Sequence, residues 1–315
     1  LHFCAHYSDG PLTVKSPSHT VIILVLNAAL WCSSGSYSSS DQSPFYTQNI
    51  IPWSIVAFDA RERTPSQRVA MIKELGFSQY AFGGRQEHVN LMAEELMIAK
   101  AAGIKISAVW LYITNKDSLL KLKSANEKVF DSLRSTELLT QIWVGIDAEV
   151  FNGLAHVESL TKASEMVAAL AKRAKKLGCK IALYNHGGWF GEPENQLEII
   201  AKLPQFDIGI VYNFHHGHTQ LENYSKIIDD IIPYLWSVNL NGMKQNGPKI
   251  VPIGEGDLEK DMIDYLLRKN YRGPFGILGH IKNEDVQVTL VRNLNGLQSL
   301  MLKSSKTSDN SDKER

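Results

Sequence analysis

The chain is poor in cysteine: Cys4, Cys32 and Cys179 are the only three in 315 residues. Three thiols cannot build a disulfide framework, and none stands in a C-x-x-C pair of the kind that holds structural zinc. Net charge is missing too, because 33 Lys+Arg balance 33 Asp+Glu. That balance argues against a polybasic nucleic-acid binder, which carries a surplus of cations for the phosphate backbone. There is no P-loop, no G-x-S-x-G elbow, no H-E-x-x-H and no dinucleotide fingerprint. Long apolar runs are scarce as well. The most apolar stretch, VIILVLNAALWC at 21–32, has twelve residues, too few for a stable membrane span of about 20. What is present is 44% hydrophobic residues, enough for a core held together by burial.

The two ends differ from the middle. Residues 21–32 follow Lys15 and His19 and precede SSGSYSSSDQS, a pattern that suits the apolar region of a secretory signal. Residues 1–50 are therefore expected to be a signal peptide and Ser-rich linker, and the protein to be secreted. An uncleaved anchor and a buried core segment are the other readings of that run. With the signal removed, Cys179 is the thiol that remains, at the start of a strand, where a buried inert role is expected. Asn223-Tyr224-Ser225 is a single glycosylation sequon. The tail 303–315 (KSSKTSDNSDKER) has no apolar face and is expected to be disordered.

Between these ends, apolar runs alternate with stretches of helical period. The spacing predicts strands at 53–59, 77–84, 104–113, 141–147, 180–186, 206–214, 235–242 and 274–280. Helices are predicted at 65–75, 87–102, 117–135, 158–177, 194–203, 221–234, 257–270 and 284–302. Thr64-Pro65 reads as a cap with proline at the first helical position, Gly76, Gly103 and Gly178 close helices, and Asp257 opens one. Strands separated by helices need right-handed crossovers and a parallel sheet. Eight such units over residues 51–302 match a single (β/α)₈ TIM barrel, α/β in class. A doubly wound open sheet is the rival, but its Gly-rich turn is missing after the first strand, where the sequence reads Asp59-Ala60-Arg61-Glu62-Arg63.

In such a barrel, chemistry occurs where the C-terminal strand ends converge. Polar and aromatic residues at those ends are Asp59, Arg85, Trp110, Tyr112, Asp147, Glu149, Asn185 and His186. The later strands add Asn213, His215, His216, His218, Asn239, Asn241, Glu255 in a following loop, and His280. Carboxylates and imidazoles gathered at one mouth can act as general acid and base or hold a divalent ion. His186-Gly187-Gly188-Trp189 sets an imidazole beside an aromatic wall suited to a sugar ring, or else Trp189 simply covers the rim. Gly254-Glu255-Gly256-Asp257 offers a carboxylate in a permissive loop, or else a turn and helix cap.

At these residues the chain resembles the xylose isomerase-like TIM barrels, which include sugar isomerases, epimerases and endonuclease IV-type enzymes. LYNHGG (183–188), Asn213-Phe214-His215-His216, VNLNGM (238–243) with PIGEGDLE (252–259), and GPFGILGH (273–280) look like that family's strand-five to strand-eight segments. The resemblance implies one divalent ion bound by Glu, Asp, His and Glu. The matching positions here are Tyr184, Asn213, Asn239 and Gly279, none of the usual ligand type, while Asn185, His186, His216 and Glu255 match the pattern. It implies a sugar or sugar-phosphate isomerase or epimerase acting by proton transfer next to a carbonyl. Glu149 or Glu255 would be the base, with His186 or His280 as the partner. Trp110, Asn185, Trp189, Asn213, Asn239 and Asn241 would contact a small-molecule carbohydrate. An atypical metal site would centre on His216 with His186, Glu255 and His280, and imidazole ligands favour Mn, Zn or Co over Mg. The alternative is a non-catalytic carbohydrate-binding protein on a decayed isomerase barrel. Phosphodiester hydrolysis is less favoured, because it calls for several metals and a basic DNA face.

Overall fold

The computed structural model describes residues 47–117 and 121–311. The signal-like run at 21–32, most of the Ser-rich linker and residues 312–315 of the tail lie outside the described residues. Eight strands form one parallel sheet: β1 (Ile50–Trp53), β2 (Gln79–Phe82), β3 (Lys105–Ile113), β4 (Gln141–Ile146), β5 (Lys180–Tyr184), β6 (Ile208–Asn213), β7 (Leu235–Leu240) and β8 (Phe275–Leu278). Each strand from β2 to β8 pairs with the next, and β8 pairs back to β1 with Trp53 opposite Leu278. The β1–β2 seam closes by packing, since a Cβ at Gly83 would sit 3.0 Å from the Trp53 ring. This is the expected TIM barrel.

The helices alternate with the strands: α1 (Pro65–Glu74), α2 (Met92–Ala101), α3 (Ser124–Thr136), α4 (His156–Lys176), α5 (Gly188–Gly191), α6 (Pro193–Lys202), α7 (Tyr224–Ile231), α8 (Glu259–Arg268) and α9 (Val286–Ser311). Local chemistry sets their limits. Thr64 and Gln67 form a reciprocal capping box ahead of Pro65. Gly76, Gly103 and Gly178 follow helices with φ of +79°, +73° and +70°, the left-handed closure that glycine adopts without strain. The last helix runs past residue 302, where the apolar pattern ends, to Ser311.

Two expectations change. The run 53–59 is not the first strand; β1 ends at Trp53, where Ser54 turns the chain with φ of 56°. Ile55 and Val56 are buried all the same, so their apolar character serves packing of the connecting loop rather than a ladder. Asp257 does not open the eighth helix, which begins at Glu259. Instead, the buried Glu259 carboxylate accepts from the N–H groups of Met243 (3.0 Å), Gly254 (3.0 Å) and Gly256 (2.9 Å). One carboxylate thereby satisfies three backbone donors and ties the loop after β7 to α8.

Side chains alternate across the barrel wall. Outward residues join the large core beneath the helices. Inward ones form a separate cluster in which Trp53, Trp143 and Tyr184 interlock with Ala81, Ala108 and Ala182. Large rings set against small alanines let the layers of the lumen interdigitate. Trp53 and Trp143 meet edge to face with centroids 4.9 Å apart. Trp143→Ala is expected to destabilise the barrel by about 3–5 kcal/mol, read as a lowered midpoint of denaturant unfolding.

Candidate active site at the barrel mouth

The top of the aromatic lumen is a polar node. Tyr184, fully buried at the end of β5, receives three N–H groups on its oxygen: Trp53 Nε1 at 2.8 Å, Asn213 Nδ2 at 2.6 Å and Asn239 Nδ2 at 3.1 Å. Burial pushes the phenol pKa up, and the three donors pull against that shift. Three donors leave the phenol's own proton without an acceptor, and Asn239 Oδ1 is buried without a partner. A half-turn of the Asn239 amide lets Tyr184 donate to its oxygen but moves Nδ2 to the side that has no partner, so one end of this buried amide is unpaired in either orientation. Gly276 makes room for this amide, because any Cβ there would overlap Asn239 Oδ1.

Above the node lies a cavity of about 310 Å³, floored by Trp53, Tyr184 and Asn213 and walled by Phe58, Arg85, Trp110 and the rings of His186, His215, His216 and His280. A second cavity of about 400 Å³ adjoins it, sharing Arg85, Trp110 and His186 and reaching Tyr112 and Lys123. The imidazoles pack in a chain: His186–His216 centroids are 4.4 Å apart, His215–His216 4.7 Å and His215–His280 4.8 Å. His215 Nδ1 faces the Lys249 carbonyl at 3.0 Å; a carbonyl only accepts, so Nδ1 carries the proton and Nε2 keeps its lone pair.

Crowding keeps these rings neutral. Burial, then His186, His215, His280 and Lys249, push the His216 pKa down to about 2. Burial, His215 and Arg85 bring His280 to about 4. His186 and His215 are lowered chiefly by burial as well, with Asp147 acting the other way on His186. Tyr112 donates to Asp147 at 3.1 Å, and burial followed by that carboxylate raises the phenol to about 12.

The structure brings together His186, His216 and His280, with Trp110 and Asn213, around one cavity. It does not bring the carboxylates there. Glu149 lies on the exposed turn after β4, held by Asn115 Nδ2 at 2.9 Å. Glu255 is exposed on the loop before α8 and acts electrostatically on Arg292 of α9. Asp59 is an anchor, bridging Arg63 and the start of α9. Asn185 pairs with the Asn213 backbone through both ends of its amide, extending the β5–β6 ladder. Asn239 belongs to the buried node below the cavity, and Asn241 holds the Lys249 and Gly242 carbonyls. Trp189 leans on Phe151 and donates to His156, covering the rim outside both cavities. Trp53 and Phe58 were not singled out by sequence reasoning; the clue was aromatic residues at and just past the first strand end.

The residues do not suit the divalent ion that the resemblance implies. Tyr184, Asn213 and Asn239 are neutral, with both amide nitrogens turned to the Tyr184 oxygen and Asn213 Oδ1 accepting from the His215 N–H, and Gly279 has no side chain. The set His216, His186, His280 and Glu255 is not assembled, because Glu255 stands apart. Among the described residues no group of three or more His, Cys, Asp or Glu is arranged to hold a metal.

No protein-family model matches the sequence, and no curated protein matches it. Solved structures do match in fold. A 3-keto-D-glucoside 4-epimerase, YcjR, from E. coli superposes with a TM-score of 0.60 at 17% identity, covering 81% of this chain and 99% of that one. A D-psicose 3-epimerase determined in the presence of D-fructose gives 0.60 at 15%, covering 80% and 97%. A xylose isomerase domain containing protein from Salmonella typhimurium gives 0.58 at 11%, covering 79% and 97%. The chain thus shares the (β/α)₈ barrel fold of these three proteins.

The neutral histidines carry a pH signature. A folded-state pKa below the ordinary 6.5 means that the unfolded chain binds protons the folded chain refuses, so stability is complete above 6.5 and falls as pH drops below it. Between pH 6.5 and about pH 5 the loss is expected to be ~1–2 kcal/mol for His216. Thermal melts of the wild type and His216→Gln across that window should show the variant losing less.

Proposed function

We propose that the barrel mouth binds a carbohydrate through aromatic faces and neutral polar groups, without chelating it to a divalent ion. The observation that carries this reading is the Tyr184 node: the side chains at three of the four implied ligand positions are joined by hydrogen bonds in a buried, uncharged cluster. The cavity above combines what a sugar ring needs. The half-buried indole of Trp110, met edge to face by the buried Trp53 at 5.8 Å between centroids, suits the apolar side of a pyranose, and imidazole and amide edges suit its hydroxyls. The fold shared with sugar epimerases supports the same ligand class.

A second reading keeps catalysis. The His186–His216 pair borders the cavity, and neutral imidazoles have free lone pairs that can accept a proton from a carbon next to a carbonyl. The low basicity of His216 and the absence of a carboxylate from the cavity lining weigh against it.

Calorimetry and melting curves with a panel of aldoses and ketoses, run with solvent-deuterium exchange, separate the two. The expected outcome is a raised melting temperature, unchanged by EDTA, with no deuterium entering the sugar; Trp110→Ala should weaken binding about tenfold. Deuterium incorporation lost in His186→Gln would establish the second reading, and no stabilisation by any sugar would sink both.

A further inference from the structure

We infer that the ligand of this mouth is an anionic sugar, one carrying a carboxylate or a phosphate, whose charge is received by Arg85 at the junction of the two cavities. The inference rests on the carbohydrate-binding reading and narrows it.

Arg85 lies just past the end of β2, where its backbone N–H donates to His88 Nδ1 at 3.1 Å. Its guanidinium lies over the Phe58 ring, 4.9 Å from the centroid, and Phe58 in turn meets His280 at 4.2 Å. The arginine is thus held by an aromatic face beside an imidazole, not by an acid. Arg63, Arg68, Arg173 and Arg292 each pair with a carboxylate, whereas Arg268 and Arg272, away from the mouth, meet a tyrosine ring and backbone carbonyls. Arg85 has no carboxylate partner among the described residues, although it lines both cavities.

No aspartate or glutamate lines the inner cavity; the adjoining cavity has the exposed Glu87 in its wall. A second cation, Lys249, is exposed on the loop after β7. The Lys249 carbonyl is fixed by His215 at 3.0 Å and Asn241 at 2.9 Å, which keeps this lysine at the rim, where its charge acts on His215 and His216. Arg85 and Lys249 beside an inner cavity whose wall holds no acid favour negative charge there, while Glu87 on the wall of the adjoining cavity and Asp147, which acts on His186, temper that field. A planar fork of N–H donors also matches the paired oxygens of a carboxylate or phosphate. The sugar body would rest on Trp110, with its acidic group at Arg85.

The test compares glucose, glucuronate and glucose 6-phosphate by calorimetry, with inorganic phosphate and acetate as ring-free controls. At low salt at least one acidic sugar should bind about tenfold or more tightly than glucose, and the two acidic sugars distinguish carboxylate from phosphate. Added salt should shrink the preference. Arg85→Gln should bring the ratio close to one, whereas Lys172→Gln, a charge change on an outer helix, should leave it intact. Glucose binding as tightly as both acidic sugars, or an unchanged ratio in Arg85→Gln, would overturn the inference while leaving carbohydrate binding standing. Phosphate or acetate binding as tightly as the acidic sugars would overturn it too, by removing any role for the ring. Failure of every sugar, charged or neutral, would remove the carbohydrate-binding reading itself.

Discussion

The mouth depends on how the lumen is filled. Three rings, Trp53, Trp143 and Tyr184, occupy the barrel's interior against alanines, and their packing delivers the Tyr184 oxygen to a point where Trp53, Asn213 and Asn239 reach it together. A buried hydroxyl or amide without a partner costs roughly 1–3 kcal/mol, so each of these groups is held in place by the needs of the others. The floor of the cavity is rigid because it is a hydrogen-bond network on close-packed aromatic rings. Tyr184 and the two asparagines thus answer, with neutral groups, the problem of what to place where carboxylates and an imidazole would need an ion between them.

Above this floor the electrostatics follow from density. Four imidazoles share a small volume, and His186 and His215 lower the proton affinity of His216 and His280 on top of the cost of burial. Neutral imidazole is both donor and acceptor, which suits hydroxyl groups, and it leaves the field of the mouth to its charged neighbours, Arg85 and Lys249 against Glu87 and Asp147. Carboxylates that could oppose that field are engaged elsewhere: Asp147 with Tyr112 and the Glu149 N–H, Asp59 with Arg63, and Glu259 with the loop after β7.

Most of the fold was legible because its signals are local and repeated. Apolar runs, the Thr64–Gln67 cap and the glycines after helices each mark a boundary, and the count of alternating units defines the barrel. The first strand was misplaced because WSIVAFD is apolar for tertiary reasons; nothing in the run itself shows that Ser54 turns the chain. The site was legible in part. His186, His216, His280 and Trp110 followed from their places at strand ends, and they do meet. Glu149 and Glu255 shared those places in sequence, yet a residue past the end of a strand is aimed by its loop, and no spacing rule reports that aim. Tyr184 was visible only as a departure from a family pattern, since its role arises from three partners far away in the chain.

The loop after β7 is pinned at two places. At one end Glu259 grips the Met243 N–H, and at the other His215 and Asn241 grip the Lys249 carbonyl. Between these pins residues 244–248 form a short arch with one internal bond, from the Gly247 N–H to the Lys244 carbonyl. Because the anchors on either side carry the geometry of the rim, the span between them can lengthen, shorten or change composition while the imidazoles beneath keep their positions. Variation tolerated in that span would alter which molecules gain entry without rebuilding the chamber they enter.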